Sequence, residues 1–204
     1  MNMMRKKITT LVALAFIAAA APQAYAGSLG TDTPTGGLEG SLALDGADWL
    51  AGQISFSQAS QIQSIQAFVN DMGAGGSFTI ALYNDTASHL PGNFLNSWSA
   101  SFTSATDANG SGWNGVSGLN YNVGAGKYWV ALEVQGSDTF SGVAPGTLND
   151  PLNSYAFNAG GFQGYQAMTQ SFGLQVAAVP EPETYALMLA GLGLIGFMAR
   201  RRSC

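Results

Sequence analysis

The sequence predicts an all-β fold, an antiparallel β-sandwich of about eight strands, over residues 27–179 of the 204-residue chain. Three observations predict it. No long run places apolar residues at the 3.6-residue period of a helix. Period-two alternation recurs instead, in short runs rich in aromatic and β-branched residues. Between the runs lie glycine-rich turn clusters, and 24 of the 27 glycines fall inside this stretch.

In chain order, residues 1–26 come first and read as a secretory signal peptide. Arg5, Lys6 and Lys7 form a positive start, Ile8 to Ala21 is uncharged and largely apolar, and Pro22 ends any helix. Ala24 and Ala26 then supply the small residues of an A-x-A cleavage site, so that signal peptidase would leave Gly27 as the first residue of the mature chain. Residues 27 to about 45, with Pro34 and Gly36-Gly37, are expected to be a partly ordered leader.

The strands follow. Phe78, Ile80 and Leu82 alternate with Thr79, Ala81 and Tyr83, and Trp98, Ala100 and Phe102 alternate with two serines. Leu119, Tyr121 and Val123 form the next run, and Tyr128, Val130, Leu132 and Val134 the one after, with Trp129, Ala131 and Glu133 on the opposite face. Phe172, Leu174 and Val176 form the last, and shorter candidates lie at 52–56, 62–69 and 154–157. The turn clusters are Gly73-Ala74-Gly75-Gly76, Leu90-Pro91-Gly92-Asn93, Asn109-Gly110-Ser111-Gly112 and Gly124-Ala125-Gly126. Eight short strands joined by such turns suit a sandwich of the jelly-roll type.

Residues 180–204 close the chain. Val179-Pro180-Glu181-Pro182 is a stiff acidic tetrapeptide, because proline fixes φ and biases its predecessor to an extended conformation. Thr184 to Ala199 is uncharged and reads as a transmembrane helix over 184–199, with Arg200, Arg201 and Arg202 as the membrane stop. At ~1.5 Å per residue such a helix reaches only ~24 Å, against a hydrocarbon core of ~30 Å, so snorkelling arginine stems would have to make up the difference.

Charge narrows the function. Between residues 27 and 179 a single cation, Lys127, stands against ten acids, leaving about nine negative charges. Nucleic acid is excluded as a partner, since phosphate binding needs Lys and Arg on the binding face. The one cysteine, Cys204, rules out a disulfide-stapled fold.

Pro-Glu-Pro, a short apolar helix and a terminal arginine cluster, in that order, resemble the PEP-CTERM sorting signal. The resemblance implies an exosortase substrate of a Gram-negative bacterium, carried across the inner membrane and anchored there. Exosortase would act near Pro180-Glu181-Pro182 and pass the domain to the cell surface or to the exopolysaccharide matrix of a biofilm. The stretch from Gly76 to Asp85, then Pro91-Gly92 and Lys127-Tyr128-Trp129-Val130-Ala131-Leu132, resembles extracellular jelly-roll domains found on such proteins, which are similar in fold to carbohydrate-binding modules. Gly191-Leu192-Gly193-Leu194-Ile195-Gly196 matches a dinucleotide-loop string, but no strand precedes it and no acidic residue follows, so that reading is rejected.

Residues able to do chemistry are few. His89 is the only histidine and precedes a turn, which suits an exposed loop position; no serine lies in a nucleophile elbow. One histidine and no cysteine in the domain argue against zinc. Asp107, Asn109 and Ser111, with glycine following, match the opening of a calcium loop, although Gly118 stands where the bidentate glutamate belongs. A glycine turn held by Asx hydrogen bonds explains the same residues and is preferred. For a sugar ligand, Trp129 would offer a stacking face and Glu133 a carboxylate on one strand face, unless Trp129 packs under a loop; Trp113, between Gly112 and Asn114, is the expected exposed loop aromatic. Three functional readings follow: a non-catalytic surface or matrix protein, a lectin-like carbohydrate-binding module assisted by calcium, and a secreted glycoside hydrolase. No other cofactor is expected.

Overall fold

The computed structural model describes residues 27–35, 37–147, 152, 154–160, 164–180 and 182–201. Ala24, Ala26, Glu181 and Arg202 lie outside the described residues, as does the whole of the expected signal peptide. Two compact units are present, Ala26–Glu181 and a second one containing Pro182–Cys204.

The first unit is antiparallel β throughout the described residues. Its strands are β1 (Gly27–Gly30), β2 (Leu42–Leu44), β3 (Asp48–Phe56), β4 (Ser60–Asn70), β5 (Ser77–Asp85) and β6 (Pro91–Ser101), then β7 (Ser111–Val123), β8 (Gly126–Glu133), β9 (Gly142–Ala144), β10 (Tyr155–Ala159), β11 (Gln166–Met168) and β12 (Leu174–Pro180). They form two sheets. Sheet I runs β1-β12-β4-β9-β2, with β7 also paired to β4, and sheet II runs β11-β10-β3-β8-β5-β6.

The alternation in the sequence becomes the two faces of these sheets. Ile62, Ile65, Leu174 and Val176 of sheet I pack in one buried cluster with Leu50, Ile54, Phe78, Ile80, Leu82, Val130 and Leu132 of sheet II. Two sheets sharing one apolar core make an all-β sandwich. Phe78 and Phe140 meet edge to face inside it, with ring centroids 5.4 Å apart.

Each of the eight expected runs overlaps a strand, with Phe102, Val134, Phe172 and Ser154 outside the strand bounds, and among the described residues four further short strands join them. The expected leader is corrected by two of these. β1 pairs with β12 from its first residue, Gly27 opposite Ala178. Thr31 is buried, its amide donating to the Leu174 carbonyl at 2.9 Å and its hydroxyl accepting from the Leu174 amide at 3.0 Å. The turn at 71–76 behaves as its glycines imply: the Asp71 carboxylate accepts from the amides of Gly73 and Gly75, both at positive φ. By contrast, Pro91, Gly92 and Asn93 belong to β6.

In the second unit, α1 (Pro182–Arg201) is one continuous helix of twenty residues. Proline at its first position costs nothing, because that amide has no helical partner anyway. Met188, Leu189, Leu192, Leu194, Ile195 and Met198 are exposed on it. The expected transmembrane segment over 184–199 falls within α1, and among the described residues no helix is long and apolar enough to cross a membrane.

Candidate ligand-binding face and sorting motif

The outer face of sheet II is built around a row of small residues. Ala156, Ala51, Ala131 and Ala81 are in register across β10, β3, β8 and β5, and Ser97 of β6 continues the row. Four alanines side by side leave a shallow trough. Trp129 fills part of it, and Tyr83, Leu90 and Tyr165 pack against it from above. The result is a second, smaller apolar cluster, on the side of the sheet away from the main core.

Glu133 lies on the same face of β8 as Trp129 and Ala131, as expected, but only 1 % of it is exposed. Its Oε1 accepts hydrogen bonds from the hydroxyls of Tyr83 at 2.7 Å and Tyr165 at 2.6 Å, and its Oε2 accepts from Gln135 Nε2 at 2.9 Å. Burial pushes the Glu133 carboxyl above the usual carboxylate range; the two tyrosine hydroxyls pull against this, and the nearby Asp138 charge adds to it. The Tyr83 and Tyr165 hydroxyls are themselves raised, by burial first and then by the Glu133 carboxylate.

Asp85 forms a second polar cluster on the same face. Its Oδ1 accepts from Trp129 Nε1 at 2.8 Å and from Gln53 Nε2 at 2.9 Å, while His89 Nδ1 lies 3.0 Å from Oδ2. Burial alone would raise the Asp85 carboxyl, but the bonds from Trp129, His89 and Gln53 together outweigh it and lower it. His89 is exposed, as its position before a turn predicts, and adopts a positive φ of 53°.

Trp129 is therefore fully buried beneath side chains, and its indole N–H is taken. It offers no stacking face, and Glu133 has no free oxygen; the sugar-binding assignment of this pair is corrected. Sequence reasoning found these two residues because they are four apart on one strand. It missed Tyr83 and Asp85 of β5, Gln53 of β3 and Tyr165 just before β11, which come together on the face only in the fold and carry no local signal.

Trp113 is not a loop residue. It lies in β7, half-buried, edge to face with Phe68 at 5.4 Å, and its indole N–H donates to Thr33 Oγ1 at 3.1 Å. Asp107, Asn109 and Ser111 do come together, as a turn. Asp107 Oδ1 accepts from the amides of Asn109 and Ser111 at 2.9 and 2.7 Å, and Asn70 Nδ2 donates to the Asn109 carbonyl and to Ser111 Oγ. Among the described residues no group of three His, Cys, Asp or Glu side chains could hold a metal ion.

A pocket of about 290 Å³ opens elsewhere, where β2, β3, β10 and β11 meet. Trp49, Leu42, Phe157 and Met168 give it apolar walls, and Asp48 and Gln170 supply polar groups. The Trp49 indole is fixed by its N–H, which donates to the Val134 carbonyl at 3.2 Å.

The last strand carries the other functional feature. β12 ends at Pro180, opposite Ser60 of β4, and a proline has no amide with which to extend the ladder. Residues 178–202 match the family model of the PEP-CTERM protein-sorting motif, which thus begins inside β12 and takes in α1. The chain carries a PEP-CTERM sorting signal, which implies an exported protein that exosortase acts on. No curated protein and no solved structure matches the chain.

Proposed function

We propose that the chain is a non-catalytic protein of the cell surface or exopolysaccharide matrix of a Gram-negative bacterium. Signal peptidase removes residues 1–26, and exosortase processes Val179-Pro180-Glu181-Pro182, with Arg200, Arg201 and Arg202 as the cationic end of the signal. The observation that carries this reading is the position of the sorting motif, which abuts the last strand so that the whole β-sandwich becomes the cargo. The non-catalytic assignment is supported by Glu133, which is buried with both oxygens engaged. Asp85 supports it too. It lies six ladder positions beyond the partner of Glu133, or roughly 20 Å along the strand, whereas glycosidase carboxylates stand within ~10 Å.

The test is in the producing cell. Changing Glu181 and Pro182 to alanine should leave an unprocessed precursor of full mass in the membrane fraction. A mature mass and location unchanged from wild type would overturn exosortase processing.

A second reading, a carbohydrate-binding module, is supported by strand order. The orders β1-β12-β4-β7 and β3-β8-β5-β6, with β10 added beside β3, support a jelly roll. The pocket beside Trp49 supports it as well.

A further inference from the structure

We propose that the pocket where β2, β3, β10 and β11 meet binds a single uncharged sugar ring, stacked on Trp49 and hydrogen-bonded by Asp48 and Gln170. The inference rests on the carbohydrate-binding reading and gives it a site that the sequence did not suggest.

Size comes first. About 290 Å³ lies at the lower end of the ~300–1,000 Å³ usual for small-molecule sites, so one ring fits and a polymer segment does not. A terminal or branch residue of a glycan satisfies that limit. The walls come second. Trp49, Phe157, Met168 and Leu42 present an aromatic and aliphatic surface, which suits the C–H face of a pyranose. The bond from the Trp49 indole to Val134 sets the ring orientation before any ligand arrives, so little side-chain freedom remains to be lost on binding.

The polar groups come third. Asp48 starts β3 and is placed by a tight turn, in which Asp45 Oδ1 accepts from the amides of Ala47 and Asp48 at 2.7 and 3.0 Å. Its own carboxylate takes no hydrogen bond from the described residues and is free to accept two hydroxyls. Gln170 is exposed, equally unengaged, and offers both a donor and an acceptor.

Charge decides between sugar classes. Among the described residues the one ionic group lining the pocket is a carboxylate, inside a domain with about nine net negative charges, so uronates and sulfated sugars are disfavoured.

The experiment titrates the full chain with methyl glycosides of neutral hexoses and with the matching hexuronates, read by calorimetry. At least one neutral glycoside should bind, at least tenfold more tightly than its uronate. Trp49→Ala should weaken that binding tenfold or more, while Asp48→Asn and Gln170→Ala each weaken it several-fold. Trp49→Phe keeps an aromatic face and should retain most of it, which separates stacking from a folding defect. Neutral-sugar binding unchanged in Trp49→Ala, Asp48→Asn and Gln170→Ala would overturn this site and leave the carbohydrate-binding reading standing. Tighter binding of uronates would overturn the ligand class. Failure to bind any of the glycosides would overturn the site and that reading together, without touching the sorting motif.

Discussion

Asp85, half-buried, and Glu133, buried, are two carboxylates on one sheet face whose acidities move in opposite directions. Asp85 is lowered, so its ionised form stabilises the fold above the ordinary carboxylate value of ~4, and that stability is lost as pH falls through its own lower value. Asp85→Asn should therefore melt below wild type at neutral pH, with the gap closing in acid. Glu133 is raised, so its contribution is complete below its unfolded value of ~4.3 and is lost as pH rises through its folded value. Glu133→Gln lacks that loss and should gain on wild type as pH rises from 4 to 8. Melting temperature against pH, for both variants, checks the two signs; parallel curves would refute them. Asp85→Ala goes further and strands the Trp129 and Gln53 donors under cover. At ~1–3 kcal/mol for each unpaired group, the midpoint should drop on the order of 10 °C.

At the scale of strands, the β4–β7 pair depends on a close approach that only glycine permits. A Cβ on Gly115 would stand 2.1 Å from the Ile65 carbonyl oxygen and 2.8 Å from Gln66 Cα, both backbone atoms with little room to give. Gly115→Ala should cost roughly 2–4 kcal/mol and speed amide exchange along β4 and β7. Gly46, with nothing within 4 Å, provides the control, and Gly46→Ala should stay within ~0.5 kcal/mol of wild type. Equal melting of the two variants would show that the approach is not required. The same scale explains what could be read from the sequence. Phe78-Ile80-Leu82 and Val130-Leu132 were legible because one face is core and alternation records it. β2, β9 and β11 were not, since three residues are too few to express a period. β1 was hidden because Gly-Ser-Leu-Gly has strand character only through its partner β12. The outer face of sheet II was half legible. Trp129 and Glu133 share a strand, but Asp85 and Tyr165 reach them by tertiary pairing across tens of residues.

For the whole molecule, charge distribution and sorting go together. Six of seven cations lie in the two terminal segments, so the proposed processing at both ends would convert a chain of net charge −5 into a domain near −9. Native isoelectric focusing of precursor and mature forms should separate them, the mature form being the more acidic. Co-migration would mean that neither cationic segment is removed. The acidic exterior also bears on the pocket beside Trp49, since added salt should barely change the binding of an uncharged ring.

β12 leaves the sandwich with neighbours on both sides, β1 and β4, and ends where the sorting motif takes over. Hydrogen bonds in antiparallel pairs run across the strand axis. A pull on the tail along that axis therefore strains both rows in shear, all at once, instead of peeling them apart one by one. A tether continuing from an edge strand such as β6 would load one row of bonds instead of two. A domain held by this end is built to stay folded under drag.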